Sequence, residues 1–135
     1  MMQRMKGWDG RLDAWLRSMR AHGHSWGEND CALFCASAIR VMTGVDIAAP
    51  YRGTYTNARE ADQVLRSELL CNDISDLPGK FLPSRALPDA GRGDVLLMAG
   101  EQDYLAIHWG EYAMAPGPDG LSQRPVALAQ KAWAV

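Results

Sequence analysis

The chain changes character at Cys71. Of its seven prolines, Pro50 alone precedes that residue and the other six follow it. Proline fixes φ and carries no backbone N–H, so it is kept out of helix interiors and central strands. Helical periods fill the stretch before Cys71, and short extended runs bounded by Pro and Gly fill the stretch after it. Helices first and strands afterwards, without the alternation that builds a parallel sheet, specify an α+β fold with N-terminal helices packed on a C-terminal antiparallel sheet. A length of 135 residues suits one domain, residues 1–135, with a core of its own.

Three helices are expected in the first half. Leu12, Trp15, Leu16 and Met19 recur at helical spacing after Asp9, an acceptable N-cap. Cys31, Phe34, Cys35, Ala38, Ile39 and Met42 trace one face of the second helix, with Asn29 or Asp30 as its cap and Gly44 as its stop. Asn57 caps a third, with Glu60 at the capping-box position and Ala61, Val64, Leu65 and Leu69 on its apolar side. Strands are expected at Asp94–Ala99, Tyr104–Gly110, Glu111–Ala115, Leu121–Arg124 and Lys131–Val135.

Fourteen basic and sixteen acidic residues are well mixed and give a net charge of -2, so no basic stripe argues for nucleic acid as a partner. The longest apolar stretches, such as Val95–Ala99, fall far short of the roughly 20 residues of a membrane span. The first twenty residues lack the apolar core and cleavage site of a secretory signal, which implies synthesis and retention in the cytoplasm unless an assembly carries the chain out. Three cysteines is an odd count, and Cys31 and Cys35 are spaced as helix neighbours, so free thiols are expected. CxxxC and His22-Gly23-His24 do not match the spacing of structural zinc ligands. Neither a metal nor another cofactor is expected.

Two residues carry candidate chemistry. A cysteine in the first helical turn sits near unpaired N–H groups and the positive end of the helix dipole, which together stabilise a thiolate nucleophile. Cys31 occupies such a place, yet it also shares a face with Phe34 and Ala38, where a free cysteine serves as a small core residue. A nucleophile needs a base. Period-two alternation puts Tyr104, Ala106 and His108 on one face of a strand, so His108 meets Cys31 if that face looks toward the second helix. Asp94 ends the Gly91-Arg92-Gly93 turn and reads as a structural Asx residue.

The order Asn29-Asp30-Cys31, Arg92-Gly93-Asp94-Val95-Leu96-Leu97 and a strand closing on Trp109-Gly110 resembles the NlpC-type branch of the papain-like cysteine peptidases. There an Asp-Cys opens the nucleophile helix, a Gly-Asp opens the first core strand and a histidine begins the second. Trp26-Gly27, Asn29-Asp30-Cys31-Ala32, Thr43-Gly44-Val45-Asp46, Tyr51-Arg52-Gly53, Tyr55, Arg92-Gly93-Asp94-Val95 and Ala132-Trp133 look more closely like a small family of phage and prophage tail proteins. The resemblance runs from about Trp26 to Val135.

It implies a nucleophile position for Cys31 and, by alignment on Gly110, puts Tyr104 where the base stands. His108 comes four residues later, about 13 Å along an extended strand. A tyrosine is a poor base at neutral pH. A bulge between Gly100 and Gly110 is the route by which His108 would reach Cys31, with Glu111 or Asp103 as orienter. The implied function is a tail-tip or tail-assembly component with a degenerate peptidase site, located in the virion tail. It would act as a structural or binding module whose partners are other tail proteins. The alternative is an active peptidase or amidase on cell-wall peptides, with Cys31 as nucleophile and His108 as base. In either case Trp26, Asp30, Tyr51 and Trp109 are the expected substrate- or partner-binding residues; peptidoglycan peptides are the substrate that the enzymatic alternative implies.

Overall fold

The longest helix forms where capping and periodicity agree. In the computed structural model, which describes residues 2–135, helix α2 spans Cys31–Thr43 and starts from Asp30. That residue has extended backbone, and its carboxylate accepts the Leu33 N–H at 3.0 Å, filling one of the orphan donors of the first turn. The helix stops at Gly44, whose φ of 79° is the left-handed conformation that favours glycine. α1 (Trp8–Ser18) begins earlier than expected. Gly7 holds its N-cap position, and Asp9 lies inside the first turn, where a carboxylate faces the positive helix end.

α3 (Ala58–Gln63) is capped by Asn57, whose Oδ1 accepts the Glu60 N–H at 2.9 Å. Glu60 in turn accepts from the Thr56 N–H at 2.9 Å, one residue before the cap that a standard capping box would serve. The helix then widens into a π-helical turn over Val64–Glu68.

Six strands follow: β1 (Ser84–Arg85), β2 (Val95–Met98), β3 (Tyr104–Trp109), β4 (Tyr112–Pro116), β5 (Leu121–Pro125) and β6 (Ala129–Trp133). They form one sheet in the order β1-β6-β2-β3-β4-β5, and every pairing is antiparallel. The chain is therefore α+β, with helices leading and an antiparallel sheet following. β1 was not expected, because two residues carry no readable period. β6 begins two residues before the expected Lys131.

The sheet's alternation sorts residues by size. Val95, Leu97, Leu105 and Ile107 point to one face and join Leu12, Leu16, Phe34 and Ile39 of α1 and α2 in the main core. Leu96, Met98, Ala106, Ala113, Ala115 and Ala132 occupy the opposite face. The bulkier apolar set goes to the helices because burying a larger apolar area there gains more free energy. Among the described residues no helix is long and apolar enough to cross a membrane.

Candidate functional site

Cys31 is the first residue of α2 and is half-buried beside β3. Its wall partner on that strand is Leu105. Burial is the largest influence on its thiol and, with the charge of Asp30, pushes the pKa up to about 11 against the pull of the Leu105, Ala32 and Cys31 backbone groups. The helix start alone would favour a thiolate, but desolvation wins, and at neutral pH the group is a thiol. Cys35, one turn on, is buried, and burial raises its pKa well above the ordinary value.

His108 is not beside Cys31. It shares the opposite face of β3 with Ala106, buried against Leu96, Ala90 and Ala129. The bulge that would have swung it across is absent: β3 pairs in continuous register with β2, from Val95↔Ile107 to Met98↔Tyr104, and with β4 from Ile107↔Met114 to Trp109↔Tyr112. The irregularity in this sheet falls instead between β2 and β6, at Leu97 and Met98. Burial lowers the His108 pKa, with Asp94 opposing and Arg92 adding to the shift.

Tyr104, expected at the base position, also belongs to the far face, packed on the layer of Leu96 and Met98. The residue of β3 that actually abuts Cys31 is the apolar Leu105, which can move no proton. The pairings of Cys31 with His108 and with Tyr104 are thus corrected by the side of the strand that each occupies.

Asp30, expected as a binding residue, contributes to the wall of the groove described below, and its carboxylate is engaged by the protein's own donors. It is buried, and its carboxylate accepts from Leu33 N–H at 3.0 Å, Gly27 N–H at 3.1 Å and the Tyr55 hydroxyl at 2.5 Å. The Gly27 carbonyl in turn accepts the Gly53 N–H at 2.8 Å. A Cβ at Gly27 would meet the Tyr55 carbonyl oxygen at 1.9 Å, and its φ is +80°, so only glycine allows this close approach. Asp46 holds Arg52 through two bonds of 2.9 and 3.0 Å. Gly27, Asp30, Asp46, Arg52-Gly53 and Tyr55, scattered in the sequence, thus form one clamp that fixes the loop before α2 against the loop before α3.

Next to the clamp lies a groove of about 650 Å³ between α2, the α3 and π-helical segment, and the start of β3. Trp26, Tyr51, Leu65, Leu69, Phe81 and Leu105 are among its walls, and Cys31 opens onto it. Trp26 is 39% exposed and stacks edge-on against His24 with ring centroids 4.5 Å apart. Trp109 does not reach the groove; it packs on the main core under the guanidinium of Arg92, 5.0 Å from its ring centroid. Leu65 and Leu69 were placed on the apolar side of the third helix but not recognised as groove walls, and Phe81 was not singled out, because nothing in their own spacing says that these segments fold back over α2. Among the described residues no three metal-ligating side chains come together.

A family model described as a domain of unknown function (DUF6950) matches residues 3–135. No curated protein and no solved structure matches the chain.

Proposed function

The chain belongs to the DUF6950 family, whose function is unknown, and on the motif resemblance set out above we propose that it is a phage or prophage tail component with an NlpC-like, papain-type fold whose peptidase site is degenerate, and that it works as a binding or structural module in tail-tip assembly. The observation that carries this reading is the separation of Cys31 from His108 by the thickness of the sheet. A cysteine at the head of the central helix, packed on an antiparallel sheet, supports the papain-like ancestry. A thiol held protonated, with Leu105 where a base would stand, argues against turnover, since nucleophilic catalysis by cysteine requires a base within hydrogen-bond reach.

Gly27, Asp30, Asp46, Arg52, Gly53 and Tyr55, all among the motif residues behind the tail-protein resemblance, build the clamp rather than a reaction centre. What they leave accessible is the apolar groove with Trp26 and Tyr51 on its walls, a surface of the kind that aromatic anchors make in protein recognition.

The test has two arms. Incubated with muropeptides, the wild-type chain and Cys31→Ala are expected to be equally inert. In tail particles assembled with each variant, Cys31→Ala is expected to be incorporated normally, while Trp26→Ala lowers incorporation by roughly tenfold, as loss of an aromatic anchor does. Cleavage by the wild type that disappears in Cys31→Ala would overturn the reading in favour of a peptidase.

A further inference from the structure

The far face of the sheet holds a second hollow, unconnected with Cys31. Its volume is about 340 Å³, and it lies between the turn Leu87–Asp89, the turn Val126–Leu128 and strands β2, β3 and β6. Leu87, Pro88, Ala90, Leu96, Val126 and Ala129 contribute apolar walls. Alanines at 90, 127 and 129 stand on its walls, where larger side chains would narrow it. The volume falls within the range of about 300–1,000 Å³ of sites that hold small molecules.

One polar group breaks the apolar lining. His108 lines the hollow, is only 8% exposed, and its Nδ1 is buried without a hydrogen-bond partner among the described residues. Unpaired buried polar atoms are rare because each forfeits the bond it made to water. The neighbouring carboxylate does not relieve it: Asp94 is committed to Arg4, Arg85 and the N–H groups of Gly91 and Val135. Among the described residues no cation or carboxylate lines the hollow.

We propose that this hollow is a binding site for a small uncharged molecule with an apolar body and one hydroxyl or carbonyl group, which hydrogen-bonds His108 Nδ1. An ionised ligand is disfavoured, since its charge would be desolvated against walls that carry no charged side chain. A purely apolar ligand would fill the space and leave the imidazole nitrogen unpaired. A molecule carrying one neutral polar group satisfies both.

The test compares p-cresol with toluene, which share a body and differ by the hydroxyl, by NMR titration of the full ¹⁵N-labelled chain. Both are expected to shift the amides of Leu96, His108 and Ala129 and to leave Cys31 and Trp26 unmoved. p-Cresol is expected to bind roughly fivefold more tightly, the preference given by one net hydrogen bond, and to shift the His108 ring nitrogen. His108→Leu, which removes an unpaired polar group from an apolar site, should fold and should reduce that preference to about one. Ala129→Phe should exclude both probes.

The proposal is overturned if the two probes bind wild type equally, if neither shifts the far-face amides, or if the preference survives in His108→Leu. It is also overturned if a high-resolution structure shows a water on Nδ1 that p-cresol does not displace. Because the shifts are read on the far face, failure here leaves the reading of the Cys31 groove untouched, and failure of that reading leaves this one standing.

Discussion

At Cys31 two effects of opposite sign meet on one sulfur atom. The helix start and three backbone groups favour the thiolate, while burial and the adjacent Asp30 carboxylate favour the thiol, and the balance lies at about 11. The position at the head of a helix was legible in the sequence because caps and periods are local. The sign of the shift was not, because the burial of the sulfur depends on packing against the main core, which is assembled from segments distant in the chain. Alkylation of Cys31 by iodoacetamide is accordingly expected to be slow at pH 7 and to reach half its limiting rate only near pH 11, as followed by mass spectrometry of the labelled peptide. A half-maximal rate below pH 8 would mean an activated thiolate and would reopen the catalytic reading. The same shift has a stability consequence. A pKa raised on folding stabilises the native state below the ordinary value of 9.0 and loses that contribution as pH climbs through about 11.

Among the elements, legibility followed period length. α2 was readable to within a residue because thirteen residues repeat one apolar face and both ends carry cap chemistry. Five of the six strands were found, β1 being missed, but their facing was not. Tyr104, Ala106 and His108 were correctly grouped on one side of β3, yet the side that meets α2 is that of Leu105 and Ile107. Residue size held the missing signal: Leu and Ile belong with Phe34 and Ile39, and the alanine-rich side belongs elsewhere.

The end of α3 was the least readable element, because its last turn departs from the α-helical step. The Leu69 N–H donates to the Val64 carbonyl at 3.0 Å and the Cys71 N–H to the Leu65 carbonyl at 3.0 Å, and between them Leu70 adopts φ 57° with 75% of its surface exposed. A left-handed conformation costs a non-glycine residue about 1–2 kcal/mol. Glycine removes that strain but adds about 0.4–1 kcal/mol of unfolded-state entropy. Since the Leu70 side chain buries little, Leu70→Gly is expected to stabilise the fold by about 0.5–1 kcal/mol, seen as a higher urea midpoint at unchanged slope. A lower midpoint would show that the exposed leucine packs on the groove wall after all.

At the scale of the whole molecule, one carboxylate joins segments that the sequence keeps far apart. Asp94 read as a turn residue, and its Oδ2 does accept the Gly91 N–H at 3.0 Å. Its other partners were invisible to local reasoning: Arg4, 90 positions away and bonded to Oδ1 at 3.0 Å; Arg85 of β1, bonded to Oδ2 at 3.0 Å; and the Val135 N–H at 3.2 Å. Arg4 also donates to the carbonyls of Arg92 at 2.8 Å and Val135 at 3.0 Å, so the residues before α1, β1, the start of β2 and the chain after β6 are held at one point.

Asp94 is fully buried. Replacing it by asparagine would keep the shape but leave two guanidinium groups without their counter-charge, a loss of about 3–5 kcal/mol by the measure of other broken buried pairs. Asp94→Asn is therefore expected to lower the melting temperature by roughly 10–15 °C for a chain of this size. Breaking the exposed i,i+4 pair of Arg66 with Asp62 by Asp62→Asn should change it by no more than about 2 °C. Added salt separates the two further, since screening weakens the exposed pair and scarcely reaches the buried one. If Asp94→Asn melted within about 3 °C of wild type, the ends of the chain would have to be held by packing alone, and the carboxylate would be a passenger in the turn where it was first noticed.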